Sequence, residues 1–250
     1  MALSKIDPAG LDIGQIGGRR NLIINGAAII DQRNTASSAF TAQSGYHVDR
    51  WKATRYATDE LAWTIQQVTD APANFKNSIK LTVTTAETDY SQTIENTVFQ
   101  TNLEGQDIAH LGFGTSDAQV LTLSFWIKAS IAGIYGGGVV NSAGDRSYPF
   151  SYTVSATNTW EYKTVTFTAD TTGTWLTTNG VGLQLVFGLG QGSDRLGTAG
   201  AWTTGTKTGV TGQVQLTETL NATWQITGVQ LEVGSVATPF EHRSYGEELA

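Results

Sequence analysis

Residues 223–233 read TWQITGVQLEV, and the fold turns on how they are read. Trp224 and Ile226 fall on even positions, whereas Val229, Leu231 and Val233 fall on odd ones. Successive side chains of a strand point to opposite faces, so a slip of one residue would turn half of this apolar set outward. A β-bulge absorbs such a slip, and Gly228 stands where it occurs. The stretch is therefore read as one long strand with a bulge at Gly228. It is followed by a Pro239-Phe240 unit that caps the body with Phe240 buried, and by a polar tail, His242 to Ala250, that either frays or contacts a neighbouring subunit.

The same period of two recurs upstream. In SIKLTVTT, Ile79, Leu81 and Val83 share a face; in LAWTIQQV, Leu61, Trp63 and Ile65 do. In QVLTLSFWIKAS, Leu121, Leu123, Phe125 and Ile127 lie opposite Thr122, Ser124, Trp126 and Lys128. VGLQLVFGLG places Val181, Leu183, Leu185 and Phe187 inward. Further strands are read at NLIINGAAII (21–30, with a bulge or turn at Asn25-Gly26), near Trp51, at Tyr90–Ile94, at PFSYTVSA and WEYKTVTFTAD with a turn at Asn158, and at TGQVQLTETL (211–220). Residues 102–111 read as a helical turn or loop, Gly136–Gly138 as a loop or edge bulge, and Gly188–Gly200 as a long Gly-rich loop. About ten strands at this spacing predict an all-β protein, an antiparallel β-sandwich of jelly-roll type over residues 21–250. Its last strand should lie beside its first. Residues 1–20, with Pro8 and four glycines, read as an extended N-terminal arm held on its own domain or on a neighbouring subunit.

Composition agrees. Of 250 residues only 15% are charged, while 28 are glycine and 4 proline, a turn-rich and helix-poor profile. A net charge of -7 repels phosphate backbones, so nucleic acid is not an expected partner. With no cysteine, neither disulfides nor thiolate metal sites are available. No apolar run reaches the ~20 residues that span a bilayer. Synthesis in a cytosol is expected.

NLIINGAAIIDQRN…YHVDRW near the start, WQITGVQLEVGSVATPFEHRSYGEELA at the end, and TLSFWIKAS and TADTTGTW between them carry a likeness. They resemble tail-fibre and tail virion proteins of tailed bacteriophages, whose domain is similar to jelly-roll carbohydrate-binding modules. The matching positions are Asn21, Leu22, Asn25, Gly26, the run Ile226–Gly234 and the Pro239-Phe240-Glu241 turn. The resemblance implies a place in the virion, self-association as a homotrimer and contact with other virion proteins through the arm.

A sugar-binding surface needs aromatic rings on which a pyranose can stack, with polar groups nearby. Trp126 sits on a polar strand face, and Trp160 and Tyr162 share parity with Thr164 and Thr166; together they form a candidate platform unless a loop or the second layer covers them. Trp175 and Trp202 flank the Gly-rich region and Tyr135 precedes the triple glycine. These are candidate receptor contacts at one end of the sandwich, or plugs of that end. Trp51, Trp63 and Trp224 are expected in the core. GLGQGSD lacks the Lys and the following helix of a phosphate loop. A calcium ion on Asp194, Asp145 or Glu232 is conceivable, but no spacing demands it, and no cofactor or metal is expected.

His47, His110 and His242 are scattered and no nucleophile motif is present, so catalysis is not expected. The function expected is a tail fibre or tail-tip component that contacts host surface glycans. The alternative is a purely structural virion part, such as a decoration, collar or baseplate connector, without glycan binding. An enzyme degrading surface polysaccharide is the remote third.

Overall fold

The computed structural model describes residues 19–32, 44–58 and 60–249. Most of the expected arm, residues 1–18, lies outside them. The long strands are β1 (Ser44–Tyr46), β2 (Trp51–Tyr56), β3 (Ala62–Val68), β4 (Ser78–Thr85), β5 (Asn96–Glu104), β6 (Leu121–Ala129), β7 (Gly133–Asn141), β8 (Arg146–Val154), β9 (Glu161–Phe167) and β10 (Val181–Gln191). The short pairs β11 (Leu196–Gly197), β12 (Thr203–Thr204) and β13 (Gly209–Val210) follow, and then β14 (Thr223–Val233). A helical turn, α1 (Gly105–Ile108), follows β5, and α2 (Tyr245–Leu249) lies in the tail.

Two antiparallel sheets face each other. One has the order β1-β2-β5-β10-β7-β8-β12, the other β3-β4-β14-β6-β9. This is the antiparallel sandwich of jelly-roll type that the alternation predicts. Rings from both layers form a continuous chain through its centre: Trp51 stacks on Phe99 at 5.2 Å, Phe99 meets Trp224, Trp224 meets Phe187, and Phe187 meets Phe125. Trp51, Trp63 and Trp224 are fully buried, as expected. The indole N–H groups of Trp51 and Trp224 donate to Asn25 O at 3.1 Å and to the Tyr152 hydroxyl at 3.1 Å, which removes much of the cost of burying them.

The bulge is where the sequence placed it. The β14–β6 register shifts between Thr227 and Gln230, and Gly228 has φ 61, a left-handed conformation costly for any residue with a Cβ. Before the bulge β14 pairs with β4, from Thr223 to Ile226. Beyond it the N-terminal segment takes over that edge: Leu22 N–H donates to Leu231 O at 2.8 Å, and Val229 N–H to Gly26 O at 3.0 Å. The expected meeting of the two ends thus occurs, though not as a strand. Residues 21–30 bend through a turn at 24–27, because the Asn25 amide bonds Ile30 O and Asp49 O and its Oδ1 accepts Ile30 N–H.

Other expectations require correction. Tyr90–Ile94 is not a strand: there the Glu95 carboxylate accepts Gln92 N–H at 2.9 Å, and the strand proper, β5, starts at Asn96. Residues 211–220 form a turn and a 3-10 helix, Leu216–Glu218, in which Gln215 reaches across to bond the Gln191 backbone. Gly136–Gly138 is no loop but the middle of β7, a central strand. A Cβ on Gly137 would stand 2.3 Å from the Phe150 ring and 2.4 Å from Val186 O, and one on Gly138 would stand 2.4 Å from Lys207 O. The strand is glycine-rich because the loop carrying Lys207 lies directly on its outer face. β10 likewise runs on to Gln191, into the region read as a loop.

The tail folds back onto its own body. Asn25 N–H donates to Glu248 Oε2 at 2.6 Å, and Asn21 N–H to Glu241 Oε2 at 2.8 Å. Arg243 donates to Asn21 O and to Glu241, and its guanidinium stands 3.7 Å from Glu248. Arg20 adds its N–H to Glu241 and its guanidinium to Pro239 O. Phe240 is half-buried rather than buried.

Two measurements test this arrangement. Burial alone would raise the Glu241 carboxyl, but the bonds from Asn21 N–H, Arg243 and Arg20 N–H outweigh it and hold the group below its usual range. A depressed carboxylate stabilises the fold above its unfolded pKa of about 4.3 and loses that contribution as pH falls through the folded value. The Tm gap between the parent and Glu241→Gln should therefore be full at neutral pH and close below about pH 4. Gly137→Ala should lower stability in urea by about 3 kcal/mol through overpacking. Gly246→Ala, with no heavy atom within 4 Å, should change it little.

Candidate functional site

The outer face of the five-stranded sheet carries the polar parity of its strands. β6 and β9 pair in register, Trp126 with Tyr162 and Ser124 with Thr164, and this sets Trp126 beside Tyr162 on that face. Their ring centroids lie 5.4 Å apart at 50°. Tyr162 is 44% exposed and Trp126 partly so. Among the described residues the Trp126 indole N–H meets no protein acceptor, so it remains a donor for whatever sits on the ring.

Two loops build a groove around this pair. One is the β3–β4 connection, with a turn closed by Phe75 N–H to Pro72 O and Asn74 at φ 72. The other is the segment after β14. Phe75, Phe240 and His242 meet as a triad with centroid spacings of 5.1, 5.2 and 4.9 Å. With Trp126 and Tyr162 they line an open groove of about 830 Å³ that also takes in Thr238, Pro239 and Gly228. A Cβ on Gly228 would stand 2.6 Å from the Phe75 ring and 3.2 Å from Trp126, so the bulge glycine forms the floor on which both rings rest.

Trp160 continues the row beyond Tyr162. Its indole N–H donates to Asp70 Oδ1 at 3.3 Å, and Asp70 also accepts Lys128 Nζ at 2.7 Å. The bond from Lys128 holds Asp70 below the usual carboxylate range. Lys128 Nζ stands 5.9 Å from the Trp160 ring centroid. Trp126, Trp160 and Tyr162 therefore share one face, as the parity argument expects.

The other three candidates are elsewhere. Tyr135 is fully buried; its ring stacks on Tyr152 at 5.6 Å and its hydroxyl donates to Ile131 O. As a residue of β7 it shares the inward parity of Gly137 and Val139, so it is a core residue and not a surface contact. Trp175 is also buried, packed edge-on against Phe113 at 4.9 Å and Trp202 at 5.5 Å, with its N–H shared between Asp170 and Thr172 O. It plugs one end of the sandwich. Trp202 is partly exposed beside it, with its N–H on Thr168 O and the Arg146 guanidinium 5.9 Å from its ring. Arg146 is in turn paired with buried Asp170 at 2.5 Å.

Phe75, Phe240 and His242 were missed as site residues. Phe75 and His242 lie in irregular segments where no parity can be read.

The acids considered for calcium do not converge. Asp194 accepts from Thr93, Asp145 from Asn141, and Glu232 from Gln230 and Thr238. A different set, Glu87, Asp89 and Glu95, brings its carboxylate oxygens within 4.8 Å of one another, with Glu87 and Glu95 buried. The three histidines are separate: His47 is buried, which pushes its pKa down to about 4, His110 is beyond α1, and His242 is in the groove. Among the described residues no helix is long and apolar enough to cross a membrane.

No protein-family model and no curated protein matches this sequence. Several solved structures are similar in shape. The tailspike protein 4 enzymatically active domain of bacteriophage CBA120 is 12% identical, with a TM-score of 0.47 over 85% of this chain; the chain spans only 21% of that protein. A putative sugar binding protein from Bacteroides thetaiotaomicron is 13% identical, at 0.44 over 86% of this chain and 100% of its own. The family 11 carbohydrate-binding module of a Clostridium thermocellum cellulosomal cellulase is 12% identical, at 0.38 over 81% and 98%. At this distance they say nothing about a ligand, and the tail-fibre resemblance has no match at the level of sequence.

Proposed function

We propose that this chain is a glycan-docking β-sandwich that holds a sugar chain in the groove on the outer face of its five-stranded sheet and carries out no reaction. One observation carries the reading: Trp126 and Tyr162 stand side by side, partly exposed, on a polar strand face inside an open groove of about 830 Å³. Contiguous apolar surface rimmed by polar residues is the usual mark of a binding groove, and the two rings with Phe75 and Phe240 form one. A pyranose offers an apolar face to such rings and hydroxyls to their surroundings. Asn74 and His242 line the same groove and supply polar groups, and among the described residues nothing accepts the Trp126 N–H.

Within this reading the biological setting follows the tail-protein resemblance of residues 21–26 and 226–241. The chain would serve in a phage particle as a tail-fibre or tail-tip component, associated as a homotrimer and attached through its N-terminal arm, with a host surface polysaccharide as ligand. Weak single contacts would gain from repetition on one particle.

The test is binding to an array of bacterial surface oligosaccharides, followed by titration on tryptophan fluorescence. Trp126→Ala should weaken binding by about 2 kcal/mol, roughly thirtyfold, as a central aromatic contact does. Tyr135→Phe, a core change, should leave affinity unaltered. If no glycan is retained, or if Trp126→Ala binds like the parent, the reading fails in favour of a purely structural part whose groove receives a protein neighbour.

A further inference from the structure

The groove has one wall whose side chains alternate between two duties. In the run Phe240–Arg243, Phe240 and His242 turn into the groove, where they meet Phe75. The intervening Glu241 and Arg243 turn the other way, onto the N-terminal segment. Glu241 accepts Asn21 N–H at 2.8 Å and Arg20 N–H at 3.4 Å, and Arg243 donates to Asn21 O and to Glu241. Glu241 N–H is fixed as well, donating to Gln230 Oε1 at 2.8 Å on β14. At the far end of the clasp Glu248 accepts Asn25 N–H and faces Arg243.

The near end of the wall is pinned to β14, where the Thr238 N–H and hydroxyl donate to buried Glu232 and Gln230 donates back to Thr238, but beyond Thr238 little else holds it. It is irregular backbone between β14 and α2, its Pro239 and His242 are exposed, and Phe240 is only half-buried. The charge-assisted bonds to residues 20–25 are the main polar ties of its outer half, and such bonds are the stronger kind.

We infer that Glu241 and Arg243 are positioning residues of the groove, and that the N-terminal segment Arg20–Asn25 is a structural part of the binding site. Both act through Phe240 and His242 and touch no ligand themselves. The site is therefore complete only when the two ends of the chain are joined. A neighbour that takes hold of the segment at Arg20–Asn21 competes for the same bonds and loosens the wall, which couples occupancy of the N-terminal segment to affinity in the groove. The functional meaning of this coupling rests on the glycan reading; the mechanical claim does not.

The experiment is chosen to be free of any ligand. Because the chain has no cysteine, two can be introduced cleanly at exposed positions, Ala73→Cys beside Phe75 and Tyr245→Cys just past Arg243 at the end of the wall, and spin-labelled. The inter-label distance distribution is measured in the parent and after adding Glu241→Ala, Arg243→Ala or Trp126→Ala. The expected result is a narrow distribution in the parent and in Trp126→Ala, broadened in Glu241→Ala and Arg243→Ala, with Arg243→Lys recovering most of the parent width. Glu241→Gln, which keeps an acceptor for one of the two N–H groups, should fall between. Cooperative melting confirms that each variant is folded, and where Glu241→Ala is not, Glu241→Gln takes its place. Parent-like widths in the folded Glu241 and Arg243 variants overturn the inference. Where a glycan is retained, the same variants should lose about tenfold in affinity through lost preorganisation. A protein that binds no glycan but shows the broadening would sink the glycan reading and leave the positioning claim standing.

Discussion

Strand β14 has to satisfy two different neighbours along one of its edges, and the rest of the structure follows from how it does so. From Thr223 to Ile226 that edge belongs to β4; from Val229 it belongs to the N-terminal segment. The change of partner occurs at the Gly228 bulge. An extra residue there also reverses the side-chain phase, so that Trp224 and Ile226 on one side and Val229 and Leu231 on the other all reach the core. Without the bulge half of this strand would present its apolar face to water. The same missing Cβ leaves room for the Phe75 and Trp126 rings. One glycine thus joins the core, the chain ends and the groove.

The sandwich was legible in the sequence wherever a strand had one wet face. β4 and β6 alternate because Lys80, Thr82, Trp126 and Lys128 face outward and are partly exposed. β5 and β7 were not legible, because both of their faces are covered. In β5 the polar Thr97, Gln100 and Thr101 are as buried as Phe99, so no alternation survives. In β7 the glycines that admit the loop at Lys207 look like a turn when read without that loop. The failure at Tyr135 is a direct result: once Gly136–Gly138 is taken as a loop, the parity that puts Tyr135 inside is lost. Asn21–Ile30 failed for a third reason, since the Asn25 side chain offers the backbone bonds that a ladder would have supplied.

The candidate site was legible by halves. Trp126, Trp160 and Tyr162 lie on strands, where parity with Thr and Lys marks the outer face. Phe75, Phe240 and His242 come from segments set in place by long-range contacts, and nothing local marks them. The tryptophans also divide by what their N–H meets. Trp51, Trp175, Trp202 and Trp224 donate to internal acceptors and Trp160 to Asp70, while the indole N–H groups of buried Trp63 and of Trp126 in the groove meet no protein acceptor among the described residues. Position on the wet face of a strand, and not the partner of the N–H, is what separates Trp126 from Trp63.

The bonds between the chain ends span more than two hundred residues: 208 between Asn21 and Val229, and 223 between Asn25 and Glu248. Contacts so distant in sequence carry a high closure entropy and form late. During synthesis the carboxylates that hold Asn21 and Asn25 follow them by 220 and 223 residues, so this segment waits for those partners, though not for Asp49 and Trp51, while the intervening strands assemble. The groove, whose wall depends on that junction, then matures only after that closure. A chain cut short before Glu241 would keep its β-rich spectrum and most of its core yet lack a finished docking surface.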